Sequence, residues 1–85
     1  MNDLKLQIIT PEKILFSADV GFIQLPGIDG SFTVLKNHAP IVSTLTSGKI
    51  RVFSKDGKEH FFNCDGGVFE CKNNNATVLI GSIKK

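Results

Sequence analysis

The sequence alternates apolar and polar residues in short runs, and residues typical of turns interrupt these runs about every 8–12 positions. Leu4, Leu6 and Ile8 alternate with polar residues, as expected for a strand with one buried face. No stretch has the 3.6-residue period of an amphipathic helix, and the many β-branched and Phe residues favour strands. The pattern therefore predicts an all-β sandwich or barrel of antiparallel sheets.

Turn-forming residues divide the chain into short predicted strands. The apolar runs comprise residues 4–8, 14–16, 20–25, 31–35, 41–46, 50–52, 59–64, 68–71 and 76–80. Asp56-Gly57 separates two of them and is a strong signal for a tight hairpin. The other predicted structural turns contain Pro26, Gly27, Gly48, Gly66 and Gly67.

Length and charge limit the classes of protein to consider. Eighty-five residues predict one domain, spanning 1–85. The net charge is +2 and no Lys/Arg cluster is present that would follow a phosphate backbone, so we expect no nucleic-acid partner. No apolar run reaches the length of about 18 residues that crosses a bilayer, and no secretory signal begins the chain. These features predict a protein of a cytosol-like compartment, without direct membrane insertion.

The residue types that carry chemistry are not grouped in a catalytic pattern. His60 lies in an alternating run, and most carboxylates lie at turns, where they hydrogen-bond their own backbone. The segment 25–30 matches neither a dinucleotide-binding nor a Walker A loop. Cys64 and Cys71 are interpreted as free thiols that serve as small apolar residues. We therefore expect no catalytic residue, metal site, ATP-binding site or cofactor.

Two loops close together in sequence are the least ordinary feature. They flank the predicted strand 31–35, and in a meander they would lie at its opposite ends. Pro40 favours an extended Ala39, which would place His38 at a rigid bend. The residues alone leave open whether this is a binding feature or an ordinary constrained loop.

A spaced motif links this segment to a known family. Leu25-Pro26-Gly27-x-x-Gly30-x-Phe32-x-Val34-Leu35-x-x-His38-Ala39-Pro40 resembles the signature of the ATP synthase epsilon subunit family. Flanking segments resemble that family in order and spacing: Leu6-x-Ile8-x-Thr10-Pro11-Glu12, Leu45-x-x-Gly48-x-Ile50-Arg51-Val52, Gly66-Gly67-x-Phe69-Glu70 and Asn75-x-x-Val78.

The resemblance implies a fold, a set of partners and a location. The fold would be a flattened antiparallel β-sandwich of about ten short strands. The function would be that of a non-catalytic rotor subunit of the F-type proton-translocating ATP synthase. Its partners would be the gamma subunit, the polar loops of the c-ring and the alpha3beta3 assembly of F1. It would couple proton transport to ATP synthesis at the cytoplasmic face of the bacterial inner membrane.

The same resemblance assigns two groups of contact residues. The c-ring-facing loop comprises Ile28, Asp29, Gly30 and Ser31. Many relatives carry an acidic residue at the position of Ser31, so Asp29 is expected to supply the charge here. The gamma-facing residues are Thr10, His38, Ala39, Pro40, Ile41, Val42, Ser43 and Asp65.

Most bacterial relatives continue into two C-terminal helices that inhibit hydrolysis and in some members bind ATP, whereas this sequence ends at Lys85. We therefore expect no C-terminal helical hairpin, an apolar patch left for gamma and weak stability of the isolated protein. Two alternatives are a free-standing small β-sandwich that binds a ligand or protein, and a hydrolase using His38. The first is disfavoured because the chain has no Trp or Tyr to form an aromatic platform, and its seven Phe residues are expected in the core.

Overall fold

Three strands of 14 residues each dominate the computed structural model, which describes residues 3–81. The strands are β1 (Leu4–Ile9), β2 (Ile14–Gly27), β3 (Gly30–Leu35), β4 (Ile41–Ser54), β5 (Glu59–Lys72) and β6 (Asn75–Ile80). The all-β prediction is confirmed. Within residues 3–81 there is no helix of the length and apolarity needed to cross a membrane.

Residues 3–81 form six strands rather than the expected ten or so, because three predicted breaks lie inside long strands. β4 and β5 stay in register through Gly48 and Gly67, which pair with Cys64 and Leu45. A Cβ on Gly48 would lie 2.9 Å from the Cβ of Pro26, so glycine is needed there for the close approach of β2 to β4. Gly48, Gly66 and Gly67 are therefore strand residues, and Pro26 and Gly27 end β2.

The strands close on themselves in the manner of a barrel. The sheet order is β1-β6-β5-β4-β2-β3, and an additional pairing of β1 with β2 closes the ring. Residues 14–20 of β2 pair with β1, and its second half pairs with both β3 and β4. The expectation of purely antiparallel pairing was wrong in one place, since β1 and β6 run parallel.

The interior is filled mainly by aliphatic side chains. They include Leu4, Leu6, Ile8, Ile23, Leu25, Val34, Ile50, Val52 and Val78. Phe69 is fully buried in this core, whereas Phe61 is exposed. Phe16, Phe32 and Phe62 are partly buried and pack against the core, so the expectation that the Phe residues fill the core is confirmed for these and Phe69 and is wrong for Phe61. Cys64 and Cys71 are buried free thiols, as predicted.

The predicted Asp56-Gly57 hairpin is confirmed. Residues 55–58 connect β4 to β5, and Gly57 adopts a φ of 90° that suits glycine. The backbone N–H of Ser54 donates to the Lys58 carbonyl oxygen at 2.8 Å. The Ser54 hydroxyl donates to the Asp56 carboxylate, which lowers the pKa of Asp56.

Candidate partner-binding surfaces

The loop expected to face the c-ring is a tight hairpin at one end of the domain. Gly27 pairs with Gly30, so the connection itself consists of Ile28 and Asp29. Ile28 is 62% exposed, and Asp29, Gly30 and Ser31 are exposed as well. The N–H of Ile28 donates to the Thr44 carbonyl oxygen at 3.0 Å, which fixes the loop against β4. The loop therefore presents an apolar side chain and a carboxylate on a short, anchored turn.

The bend before β4 lies at the other end of β3, as predicted. The His38 N–H donates to the Leu35 carbonyl oxygen at 3.2 Å and closes a turn in which Asn37 has a φ of 66°. A positive φ at this third position is typical of a type II turn, which favours Asn or Gly there. Nδ1 of His38 lies 2.8 Å from the Ala39 carbonyl oxygen, so it carries the proton and donates.

The first residues of β4 run from this bend back to the Ile28 loop. Ile41 is half-buried and packs against the core, whereas Val42 is 73% exposed. The Ser43 hydroxyl donates to the Thr44 carbonyl oxygen at 3.3 Å. Val42 is thus the main apolar contact that this segment offers to solvent, together with exposed Ala39 and Pro40 beside it.

Thr10 and Asp65 lie apart from the bend. Thr10 is buried, and its Oγ1 accepts hydrogen bonds of 3.2 Å from the N–H groups of Glu12 and Lys13, so its side chain holds the β1–β2 turn. Asp65 is exposed and opposes Ser47 at the centre of β5. It lines an open hollow of about 1150 Å³. The structure brings His38 through Ser43 together and separates Thr10 and Asp65 from them.

A row of paired, mainly apolar residues crosses the sheet and includes residues that the sequence analysis did not select. Thr44 pairs with Val68, Val68 with Leu79, Leu79 with Ile9, and Ile9 with Ile14. The hydrogen bond from Ile28 to Thr44 adds the loop tip to one end of this row. We call the exposed apolar members of this row and the adjacent Val42 the apolar band: Ile14, Ile28, Val42, Val68 and Leu79. Leu35 and Phe61 are also exposed but lie outside it.

A signal for the band was present in the sequence. Successive residues of a strand face opposite sides, so two adjacent apolar residues place one side chain outward. Val68-Phe69 and Val78-Leu79 are such pairs, and Phe69 and Val78 take the buried positions. The order of strands in the sheet determines which outward residues become neighbours. The sequence does not give this order, so it does not show that these residues form one row.

Within residues 3–81 the histidines and carboxylates are dispersed over the fold. His60 is half-buried in β5, with its ring centroid 5.2 Å from that of Phe16, whereas His38 lies in the bend. In the part of the chain from 3 to 81, no three His, Cys, Asp or Glu side chains are grouped so as to hold a metal ion. The ion pairs Lys5–Asp19 and Lys55–Asp3 lie on the surface.

Residues 3–85 match the family model of the ATP synthase delta/epsilon chain β-sandwich domain. The chain belongs to this family. The predicted resemblance is thus confirmed, and the exposed loop, bend and apolar band are surfaces of a delta/epsilon β-sandwich domain.

Relatives and solved structures support the family assignment. The ATP synthase epsilon chain of Chlorobium limicola is 44% identical over 75 residues, covering 88% of this chain and 85% of the relative. A chain in the Euglena gracilis mitochondrial ATP synthase has a TM-score of 0.86 at 19% identity, covering 92% of this chain and 50% of that one. A chain in the central stalk/c-ring structure of Tetrahymena thermophila mitochondrial ATP synthase has a TM-score of 0.79 at 15% identity, with coverages of 95% and 65%. At these identities the solved structures show a shared fold, and this chain spans half to two thirds of their length.

Proposed function

We propose that this chain acts as the rotor-side β domain of an epsilon subunit in an F-type proton-translocating ATP synthase. It binds gamma through the apolar band and the bend 38–43, and it contacts polar loops of the c-ring through Ile28–Ser31. It supplies no catalytic group or cofactor and couples ring rotation to F1 by attachment. Its place is peripheral, at the cytoplasmic face of the bacterial inner membrane.

The apolar band is the observation that carries the proposal. Contiguous exposed apolar surface is uncommon on monomeric proteins and marks interaction sites, because covering it removes apolar area from water. Ile14, Val68 and Leu79 come from three different strands and form one row. A partner that covers this row gains burial from all of these strands at once.

A polar row borders the band, as the rim of a protein interface would. Val42 pairs with Glu70, Glu70 with Thr77, and Thr77 with Gln7. These neighbours provide a carboxylate, a hydroxyl and an amide beside the apolar side chains. Gamma therefore meets an apolar centre with groups able to set its orientation by hydrogen bonds.

The Ile28 loop supports a second contact at the end of the same surface. Asp29 is an exposed carboxylate on a two-residue connection, and a carboxylate accepts hydrogen bonds from cationic or amide side chains. The loop is anchored to Thr44, so little ordering is required when it binds. One β4 segment thus connects the proposed gamma surface to the proposed c-ring surface.

Complex formation with gamma tests the proposal. The wild-type chain and gamma, mixed at micromolar concentration, should elute together in gel filtration. Leu79→Glu places a charge in the band and should weaken the complex by about tenfold or more. Leu35→Glu is the matched control, since Leu35 is also exposed but outside the band. Failure of the wild-type chain to bind gamma, or equal effects of the two variants, would contradict the proposal.

The two alternatives predict other outcomes. A free-standing binding module would bind its ligand and leave gamma unbound. An enzyme using His38 would lose its activity in His38→Ala, whereas the rotor proposal expects only weaker assembly or coupling. No observation on the described residues favours either alternative.

A further inference from the structure

Two asparagines in left-handed backbone conformations face each other from different turns. Asn37 has a φ of 66° in the turn after β3, and Asn74 has a φ of 63° in the turn between β5 and β6. Lys72 pairs with Asn75, so Asn73 and Asn74 form a two-residue hairpin connection in which both φ angles are positive. This is the pattern of a type I′ turn, whose second position favours glycine. Asn74 therefore occupies a glycine position while carrying a side chain.

That side chain makes a reciprocal contact with the bend. The backbone N–H of Asn37 donates to Oδ1 of Asn74 at 2.6 Å, and Nδ2 of Asn74 donates to Oδ1 of Asn37 at 3.0 Å. We call this pair the asparagine clasp. The carbonyl oxygen of Asn74 also accepts from the N–H of Lys5 at 2.8 Å, which ties the hairpin turn to β1. The clasp thus links the bend to a turn fixed on three strands.

The bend has few other attachments. Residues 36–40 lie outside the strands, and the His38 N–H bonds back to Leu35 in β3. Among residues 3–81, the two clasp bonds are the hydrogen bonds that join this bend to an element other than β3. Asn37 directly precedes His38, so the clasp sets where the segment from His38 to Val42 begins.

We propose that Asn74 is a positioning residue for partner binding: through Asn37 it holds the His38–Val42 segment in the conformation that gamma binds. The inference rests on the proposed function, because it names the group that prepares the gamma-facing segment. A segment ordered before binding loses less conformational entropy on association, which increases affinity without adding a contact.

Two glycine substitutions in the same turn separate positioning from folding. Asn74→Gly removes both clasp bonds but creates the preferred Asn-Gly hairpin turn. Because the better turn offsets the lost bonds, the melting temperature should be retained. The affinity for gamma should fall by about tenfold, as expected for two lost hydrogen bonds that order a segment. Asn73→Gly is the matched control, because it alters the neighbouring position of the turn and leaves the clasp intact. It should bind gamma like wild type.

Hydrogen exchange of backbone amides distinguishes a positioning role from a structural one. A structural role would change exchange in the paired strands as well as in the bend. In Asn74→Gly the N–H of Asn37 should exchange faster, while the N–H groups of Glu70 and Thr77 in the paired strands keep their protection. Asn74→Asp tolerates the left-handed conformation and retains the oxygen that accepts from Asn37. It should therefore recover part of the affinity that Asn74→Gly loses.

The outcomes distinguish this inference from the proposed function. If wild type binds gamma and Asn74→Gly binds as tightly, the positioning role is overturned and the proposed function stands. If both glycine variants lower the melting temperature and weaken binding equally, the role of Asn74 is structural and the inference also fails. If wild type does not bind gamma, the proposed function itself is overturned.

Discussion

Gly67 and Leu79 approach so closely that a Cβ added to Gly67 would lie 2.2 Å from the carbonyl oxygen of Leu79. The contact lies between β5 and β6, where Val68 and Leu79 pair within the apolar band. The close approach is between backbones, so no side-chain rotation can relieve it. The absence of a side chain at Gly67 is therefore part of what places Val68 and Leu79 side by side.

Gly67→Ala should destabilise the domain because the added methyl forces β5 and β6 apart. We expect a loss of about 3 kcal/mol in the free energy of unfolding, measured by urea denaturation. Gly81→Ala is the control, since a Cβ there meets nothing within 4 Å. Equal unfolding midpoints for the two variants would contradict the close approach of the strands.

Asp29→Asn should reduce coupling in the assembled ATP synthase while leaving the fold intact. The carboxylate is exposed on the Ile28–Asp29 connection, and an exposed ion pair to the c-ring would be worth up to about fivefold in affinity. ATP-driven proton pumping measures the effect, which should diminish as salt is added. Glu12→Gln, which removes an exposed carboxylate from the β1–β2 turn, should pump like wild type.

The β4–β5 hairpin should lose stability in acid. The pKa of Asp56 lies below its ordinary value because the Ser54 hydroxyl and the Lys58 N–H donate to its carboxylate. Such a group stabilises the fold above its unfolded-state pKa of about 3.9, and this contribution is lost as the pH falls through the lower folded-state pKa. The melting temperature of wild type should therefore exceed that of Asp56→Asn at pH 6, and the gap should narrow as the pH falls through the lowered folded-state pKa.

Asp3 contributes to the same acid sensitivity, because the hydrogen bond from the Lys55 ammonium lowers its pKa. The double variant Asp3→Asn/Asp56→Asn should consequently show a weaker pH dependence than either single variant. If the difference in melting temperature between wild type and Asp56→Asn stays constant as the pH is lowered, the ionised Asp56 carboxylate and its hydrogen bond to Ser54 do not stabilise the fold.

The thiols should react slowly in the folded protein. Cys64 and Cys71 are buried, and burial raises the pKa of the Cys71 thiol, which lowers the fraction of reactive thiolate. Labelling by a disulfide reagent at pH 8 should be slower by more than about a hundredfold than in urea, because it requires opening of the sheet. Asp29→Cys provides an exposed thiol as the positive control. Rapid labelling of the folded wild type would contradict the buried placement.

The sequence predicted the class of fold and the positions of the loop and bend, because alternation and turn residues are local signals. It did not predict that β4 and β5 continue through Gly48 and Gly67. A glycine in a turn and a glycine needed for close backbone approach look the same in a sequence. The predicted number of strands is therefore higher than the six that the structure shows between Leu4 and Ile80.

The sequence indicates those candidate residues that are contiguous in the chain, and it does not indicate those that become neighbours only through strand pairing. His38 and Val42 lie in one motif, whereas Val68 and Leu79 become neighbours only through the β5–β6 register. The contact of Asn74 with Asn37 spans 37 positions of the chain. Such a contact depends on the tertiary structure, and no local pattern indicates it.

The long β2 strand has a consequence for a load applied to the Ile28 loop. The Ile28 loop continues directly into β2, which is bonded to β1, β3 and β4 along its length. A torque applied at the loop tip is therefore distributed over β1, β2, β3 and β4, and the hairpin does not bend separately from the rest of the sheet. The domain should rotate as a stiff body, so little of the applied twist is dissipated by bending within it.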